Sequence, residues 1–219
     1  MRKFEIFDCA SLKKIPSSLE ECTSLETLLI KMIPIIEGPP MHFSRLRRLF
    51  SLTVCCYSAE DLRSMLKSVQ HLPALEILGI GGYKDEEEMS EYFSDITPYK
   101  YLQSLKSLSL FGSPNIKTLP QQPGLLTQIE SLYIWDFEDL EEIPDSICNI
   151  SSLEYLSFGG CKNLKCIPSR QILQRLPKLS VLQIINCPLL AERYDKHKGP
   201  GWHNISHIKF IFIDGEEIH

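Results

Sequence analysis

Long apolar runs, clustered positive charge and leader signals are all scarce in this chain. No stretch approaches the roughly 20 apolar residues that a membrane-spanning helix needs, so no membrane span is predicted. Residues 1–8 hold no apolar segment and no small-residue cleavage site, which predicts no signal peptide and a location in the cytoplasm or the nucleus. The formal charge is -5, and Arg45–Arg48 is the one basic cluster, which argues against a nucleic-acid partner.

The motifs of the common enzyme classes are missing as well. We find no G-x-S-x-G elbow, no H-E-x-x-H helix, no Rossmann glycine fingerprint and no G-x-x-x-x-G-K-[ST] phosphate loop. The sequence therefore predicts that this chain catalyses no reaction and binds no cofactor or nucleotide.

What is present is the composition of a folded protein with a periodic pattern. The 219 residues are 43% hydrophobic and 23% charged, which excludes a disordered chain and suits one domain, or at most two. The pattern L-x-x-L-x-L recurs with aliphatic or aromatic substitutes. Its middle residues are Phe4, Leu28, Leu52, Leu78, Leu108, Leu132, Leu156, Leu182 and, in a last copy Ile205/Ile208/Phe210, Ile208.

These copies lie 24 to 30 residues apart, a spacing typical of leucine-rich repeats. Alternate strand residues point inward, and one repeat cannot bury its apolar face alone, so neighbouring repeats stack. We predict an α/β leucine-rich repeat solenoid, a curved horseshoe with parallel strands on its concave face and mostly irregular convex segments. Residues 1–219 are expected to form a single domain of eight to nine repeats, with residues 188–219 as a C-terminal capping segment.

A second recurring spacing follows several strands and accounts for three of the eight cysteines. Three residues past the last strand leucine stand Cys9, Ser113, Phe137, Cys161 and Cys187. An Ile-Pro or Leu-Pro pair follows in the first four of these five repeats. The consensus is LxxLxLxxCxxLxxIP. A small thiol in this slot can serve the turn backbone of the next coil, so we predict buried, reduced cysteines in place of disulfides.

The best metal-ligand candidate is explained by the same repeat. It would combine two histidines with three cysteines: Cys161, Cys166, Cys187, His203 and His207. Cys161 and Cys187 already have a place in the repeat slot, and His207 is expected in the last strand beside Ile208. No metal site is predicted.

Two return segments are long enough for helices. Ser58 begins a capping-box-like sequence, and apolar residues at helical spacing follow as far as Val69, before Leu72-Pro73. The longest repeat has 30 residues between Leu78 and Leu108. Within it, residues 85–96 place Met89, Tyr92, Phe93 and Ile96 on one face of a second expected helix.

The strand residues between the buried leucines form the concave surface. Most are small or polar, but large aromatic residues cluster on adjacent coils at Phe111, Tyr133, Trp135 and Tyr155. Exposed aromatics of this kind are typical of binding hot spots. We predict a protein-binding site here, with Ser109, Ser157 and Gln183 as its polar members. The alternative is that some of these rings fold over to cover a neighbour.

The combination of a cysteine slot with Ile-Pro resembles the C-terminal repeat domain of plant nucleotide-binding leucine-rich repeat resistance proteins. The segment Cys187-Pro188-Leu189-Leu190, the loop Gly199-Pro200-Gly201-Trp202 and the strand from Ile205 resemble the closing signature of the coiled-coil class. Lys209 stands where that class usually has proline, which leaves the end of the last strand open.

This resemblance implies a sensor domain of intracellular immunity. In the family, such a domain recognises pathogen effectors, or the host proteins they modify, and restrains the nucleotide-binding domain of the parent receptor. Two alternatives stay open. The substrate-recognition domain of an F-box-type ubiquitin-ligase adaptor also carries cysteine in the slot, and an enzyme built on the repeats would need acid, base or metal residues on the concave face.

Overall fold

In the part of the chain that the structure describes, nine short strands, one in each repeat, and a two-residue tenth build the sheet. The computed structural model describes residues 1–9, 11–31, 42–55, 67–69, 72–81, 104–112, 116–119 and 126–218. The strands are β1 (Lys3–Phe7), β2 (Thr27–Lys31), β3 (Ser51–Val54), β4 (Ile77–Gly81), β5 (Ser107–Phe111), β6 (Ser131–Trp135), β7 (Tyr155–Gly159), β8 (Val181–Ile185), β9 (Phe210–Ile213) and β10 (Glu216–Glu217).

The strands pair in chain order, and β1 to β9 are all parallel. Equivalent repeat positions lie opposite one another, as Leu108, Leu132 and Leu156 do. Side chains alternate across a strand, so these leucines enter the core while their neighbours face the concave side. The predicted leucine-rich repeat solenoid is confirmed.

The last repeat is shifted by three residues from its predicted position. Phe210 pairs with Val181, and Ile211 with Leu182, so the repeat reads Ile208/Ile211/Ile213 and not Ile205/Ile208/Phe210. Phe210 is 36% exposed rather than inward, whereas Ile211 is fully buried. The prediction that His207 lies in the last strand is wrong for the same reason, because β9 begins only at Phe210.

One continuous hydrophobic core runs along the solenoid behind the sheet. Strand residues and slot residues both contribute to it, and Phe137 fills the slot that cysteine occupies in other coils. Gly112, in the turn of the preceding coil, makes room for this larger ring: a Cβ at position 112 would lie 2.4 Å from Cγ of Phe137.

The return segments combine irregular chain with short helices. Two 3₁₀ turns follow the Ile-Pro pairs, at Ser17–Glu21 and Asp145–Asn149. Three short helices that the sequence pattern did not predict lie in the C-terminal part of the chain. They are α1 (Arg170–Leu173), α2 (Pro188–Arg193) and α3 (Trp202–Ile205).

The two predicted helices lie almost wholly outside the described residues. Residues 67–69, at the end of the first, are helical, whereas the rest of that segment and all of residues 85–96 fall in the undescribed ranges. Among the described residues, no helix is both long enough and apolar enough to cross a membrane.

The final segment turns back on the sheet. Asp214 and Gly215 adopt positive φ angles of 49° and 90°, the conformation of a tight hairpin turn, which Asp-Gly favours. This turn lets β10 pair antiparallel with β9. Directly after α2, the ring of Tyr194 is fully buried, and its hydroxyl accepts a hydrogen bond from the backbone N–H of Ile167 (3.2 Å).

We expect Tyr194→Phe to lower the free energy of unfolding by about 1–3 kcal/mol, because it leaves the buried N–H of Ile167 without its acceptor. Chemical denaturation of both proteins measures this difference. Tyr133→Phe is the matched control: it removes the same atom from a partly exposed ring, where water can solvate the hydroxyl, and should change stability by less than about 0.5 kcal/mol. Equal losses in the two variants would contradict this role of Tyr194.

Thiols in the repeat slot hydrogen bond to turn carbonyls. The Sγ atom of Cys161 donates to the carbonyl of Gly159 in its own turn (3.5 Å) and lies 3.6 Å from that of Ile134 in the preceding coil, not the next one as predicted. Cys187 donates to the carbonyl of Ile185 (3.3 Å). The pKa of Cys161 is raised because a hydrogen bond with Cys187 retains its proton and because the thiol is buried.

Burial of the cysteines is less uniform than predicted. Cys148, Cys161 and Cys187 are buried, but Cys9 is exposed because it lies in the first described coil, and Cys22 is partly exposed. The seven cysteines that the structure describes lie outside disulfides.

Thiol reactivity should follow this pattern. In the folded protein we expect Cys9 to react with an alkylating reagent far faster than Cys148, whose pKa is raised to about 11 chiefly by burial and then by the nearby carboxylate of Asp145. Peptide mapping of timed alkylation measures both rates. Denatured without reductant, the protein should titrate close to the eight thiols of its sequence. Four or fewer, or stoichiometric zinc, would contradict the slot interpretation.

Candidate functional site

The aromatic residues of the concave face lie in the register that the repeat predicts. On β6, Tyr133 stands between Ser109 and Ser157, and Trp135 stands between Phe111 and Gly159. All four aromatic side chains of the predicted site are partly exposed. We call Phe111, Tyr133, Trp135 and Tyr155 the aromatic cluster.

Two rings of the aromatic cluster lean in opposite directions onto glycines. The indole of Trp135 lies against β7, where a Cβ at position 159 would be 2.4 Å from its Cε3 atom. The ring of Phe111 leans onto β4, where a Cβ at position 79 would be 3.1 Å from its Cε2 atom. Because glycine has no side chain, each ring can lie flat against the neighbouring strand. Each ring then covers the glycine and keeps its other face toward the concave side.

The two tyrosines form the centre of the cluster. The ring centroids of Tyr133 and Tyr155 are 5.3 Å apart, with the planes tilted by 35°, a separation typical of attractive aromatic pairs. The hydroxyl of Tyr155 donates to Oε1 of Gln183, which fixes the ring. Burial, and to a lesser degree the proximity of Tyr133, raises the pKa of Tyr155, so the phenol stays a donor.

Ser157 does not face a partner as predicted. Its side chain is fully buried, and its hydroxyl donates to the same Oε1 atom of Gln183 (3.2 Å). Ser157 therefore positions Gln183, while Ser109 and Gln183 remain partly exposed on the concave face.

Lys31, whose repeat position faces the concave side, also contacts the aromatic cluster, although it was not among the predicted binding residues. Its Nζ atom lies 3.7 Å from the ring centroid of Phe111 and 3.6 Å from Oδ2 of Asp136. The side chain crosses from β2 to β5. It passes over Cys55 and Gly81, which are too small to block it. A signal existed in the sequence, because Lys31 is the one charged residue at this position in the first eight repeats.

The concave face between β2 and β9 is otherwise uncharged. Among the strand residues that the structure places there, only Lys31 carries a charge. Charges gather instead at the two rims. Along the start of the strands stand Glu26, Glu76, Lys106, Glu130 and Glu154, and Asp136 and Asp214 follow the ends of β6 and β9.

The residue after a strand adopts a positive φ angle in several coils. These residues are Asp8, Asp136, Gly160, Asn186 and Asp214. Asp, Asn and Gly tolerate the left-handed region best, so their recurrence one residue past the strand was a readable signal that the sequence analysis did not use. A shallow groove runs along this edge past Asp136, Gly160, Asn186 and Asp214.

Within the described ranges, no group of three or more His, Cys, Asp or Glu side chains is arranged to hold a metal ion. The absence of a metal site and of a cofactor stays a prediction. The concave face presents partly exposed aromatic rings, hydroxyl groups and one amide, and charged residues border it on both edges.

Comparison with known proteins points to one group of plant proteins. No family model matches the chain. It is similar to the disease resistance protein RPP4 of Arabidopsis thaliana, with 31% identity over 109 residues, or 50% of this chain. It is also similar to the disease resistance protein RPS4B of the same plant, with 30% identity over 117 residues, or 53% of this chain.

Among solved structures, it is similar to the leucine-rich repeat domain of the type III effector XopL, with a TM-score of 0.47 and 17% identity, covering 97% of this chain and 68% of that one. The chain spans only 9% of the length of each of the two resistance proteins. Its sequence is thus similar to plant disease resistance proteins over a small part of their length.

Proposed function

We propose that this chain is a protein-binding leucine-rich repeat module of a plant immune receptor, and that its concave face recognises a pathogen effector or a host protein that an effector has modified. The observation that carries this proposal is the aromatic cluster, which lies partly exposed on a concave surface where Lys31 is the one charged strand residue between β2 and β9. Similarity to plant disease resistance proteins supports the immune context.

In this proposal the chain is the recognition part of the receptor, and the other domains of the receptor transmit the signal. The chain catalyses no reaction and works in the cytoplasm or the nucleus. Its second partner is the nucleotide-binding domain of the parent receptor, which the chain restrains. The segment from Cys187 to Gly215 supports the coiled-coil class of these receptors. The reading frame upstream of Met1 tests this parentage: a phosphate-loop domain there supports the receptor, and an F-box supports a ubiquitin-ligase adaptor.

Proximity labelling in pathogen-challenged leaf cells tests the binding face. The chain is fused to a biotin ligase and compared with Tyr133→Ala/Tyr155→Ala. Arg175→Ala is the control, because this exposed side chain lies on a return segment and bonds only to Oδ1 of Asn149 (2.9 Å) among the contacts described.

Proteins labelled by the wild type and by Arg175→Ala, but not by the double variant, contact the concave face. If all three fusions label the same proteins equally, the proposed face is wrong. The recovered protein is then purified, and its dissociation constant is measured directly.

A further inference from the structure

Two neighbouring carboxylates border the tyrosine pair at the start of the strands. The backbone N–H of Glu154 donates to the carbonyl of Glu130 (2.8 Å), which places these residues side by side, directly before β7 and β6. Tyr155 follows directly after Glu154. Both glutamates are exposed, and neither forms an ion pair with another residue of the described ranges.

The nearest lysine on this rim is already engaged. Lys106 lies 3.1 Å from a carboxylate oxygen of Glu76, and its pKa is raised chiefly by that hydrogen bond, with a smaller contribution from Glu130. The rim beside the tyrosines therefore carries uncompensated negative charge.

The tyrosine pair is bordered on one side by short serine side chains. Ser109 lies next to Tyr133 on β5, and Ser131 lies next to Tyr155 on β6. These short side chains leave space on that side of the tyrosine pair for a flat group. A planar cation that stacks on the rings would then have the carboxylates of Glu130 and Glu154 within reach.

The same surface already holds one cation of its own. Lys31 places its ammonium group over the ring of Phe111 and beside the carboxylate of Asp136. Two strands away, the ring of Tyr155 and the exposed Glu154 that precedes it in the chain carry no cation from the described residues.

We infer that the concave site takes an arginine-bearing, positively charged segment of its protein partner, with a guanidinium group stacked on Tyr133 and Tyr155 and paired with Glu130 and Glu154. Arginine fits better than lysine because its planar group can stack on a ring and bind a carboxylate with two parallel hydrogen bonds. This inference rests on the proposed function and specifies the chemistry of the partner.

Short Gly-Arg repeat peptides test the inference on the intact chain. The matched probe replaces each arginine by citrulline, which keeps the shape of the side chain and removes its charge. Binding is followed by backbone amide shifts in NMR spectra, which report both the affinity and the position of the peptide. We expect the arginine peptide to shift the amides of Tyr133 and Tyr155 and to bind about tenfold tighter than the citrulline peptide.

Two double variants separate this site from general attraction to an acidic protein. Glu130→Gln/Glu154→Gln should lose most of that tenfold preference. Glu216→Gln/Glu217→Gln changes the net charge equally, but on exposed β10, three strands from Tyr155, and should keep the preference within about twofold.

Two results would overturn the inference. If both peptides bind the tyrosines equally, the charge is irrelevant, although the concave face remains a binding surface. If the arginine peptide binds elsewhere, or both double variants weaken it alike, the site beside Glu130 does not recognise a cation. Neither result touches the proposed function, which stands or falls with the labelling of protein partners by the Tyr133→Ala/Tyr155→Ala variant.

Discussion

Replacing Phe137 by alanine is expected to lower the free energy of unfolding by about 3–5 kcal/mol, the range for losing a fully buried phenylalanine. The side chain has no exposed surface and fills the slot between two coils. Its removal leaves a cavity that the neighbouring backbone turns cannot close, because strand pairing on both sides fixes their spacing. Chemical denaturation, followed by circular dichroism, measures the change.

Phe50→Ala is the matched control for this prediction. Phe50 is 42% exposed, so the same substitution should cost less than about 1 kcal/mol. A comparable loss in the two variants would show that Phe137 does not support the core as the structure indicates.

The contact with Gly112 gives a second way to examine the slot. Gly112→Ala should destabilise the wild type, because the new Cβ would lie 2.4 Å from Cγ of Phe137 and would overlap the ring. The same change should cost less in a Phe137→Cys background, where the ring is absent. A double-mutant cycle with no coupling between the two positions would contradict this interpretation.

The sequence was sufficient to predict the repeats and the register of the strands. Leucines at a fixed spacing can be buried only if equivalent positions stack, and this requirement leaves little freedom in the middle of the chain. It fails at the last repeat. Ile205, Ile208 and Ile211 are spaced three residues apart, so two phases satisfy the apolar pattern equally, and only pairing with β8 selects the second.

The repeat pattern predicted which strand positions of the candidate site face the concave side, but not the directions in which their side chains point. Alternation along a strand puts Tyr133 and Trp135 on the concave side. The direction in which a ring leans depends on the size of its neighbours, as Gly159 shows for the indole. The burial of Ser157 also differs from the partial exposure of Ser109, its counterpart two strands away. Lys31 reaches Phe111 across two intervening strands, a contact that no local pattern encodes.

Trp135→Ala is expected to weaken binding of the protein partner by roughly 2 kcal/mol or more, about thirtyfold in Kd, which is the effect of losing an interface hot spot. The indole combines a large apolar area with a polar N–H group, and Gly159 lets it lie flat on β7. In this position it presents one broad face toward the concave side without disturbing the strand beneath it.

The fold should change little, because the ring packs outside the core formed by Leu132 and Ile134. Titration of the partner recovered by proximity labelling measures the affinity, and thermal unfolding measures the stability. Ser51→Ala and Thr27→Ala, on strands far from Trp135 in the sheet order, are the controls and should lose little affinity. A sharp fall in melting temperature with unchanged affinity would show instead that the indole serves to cover Gly159. In that case the leucine-rich repeat fold stands, and the binding site must be sought elsewhere on the concave face.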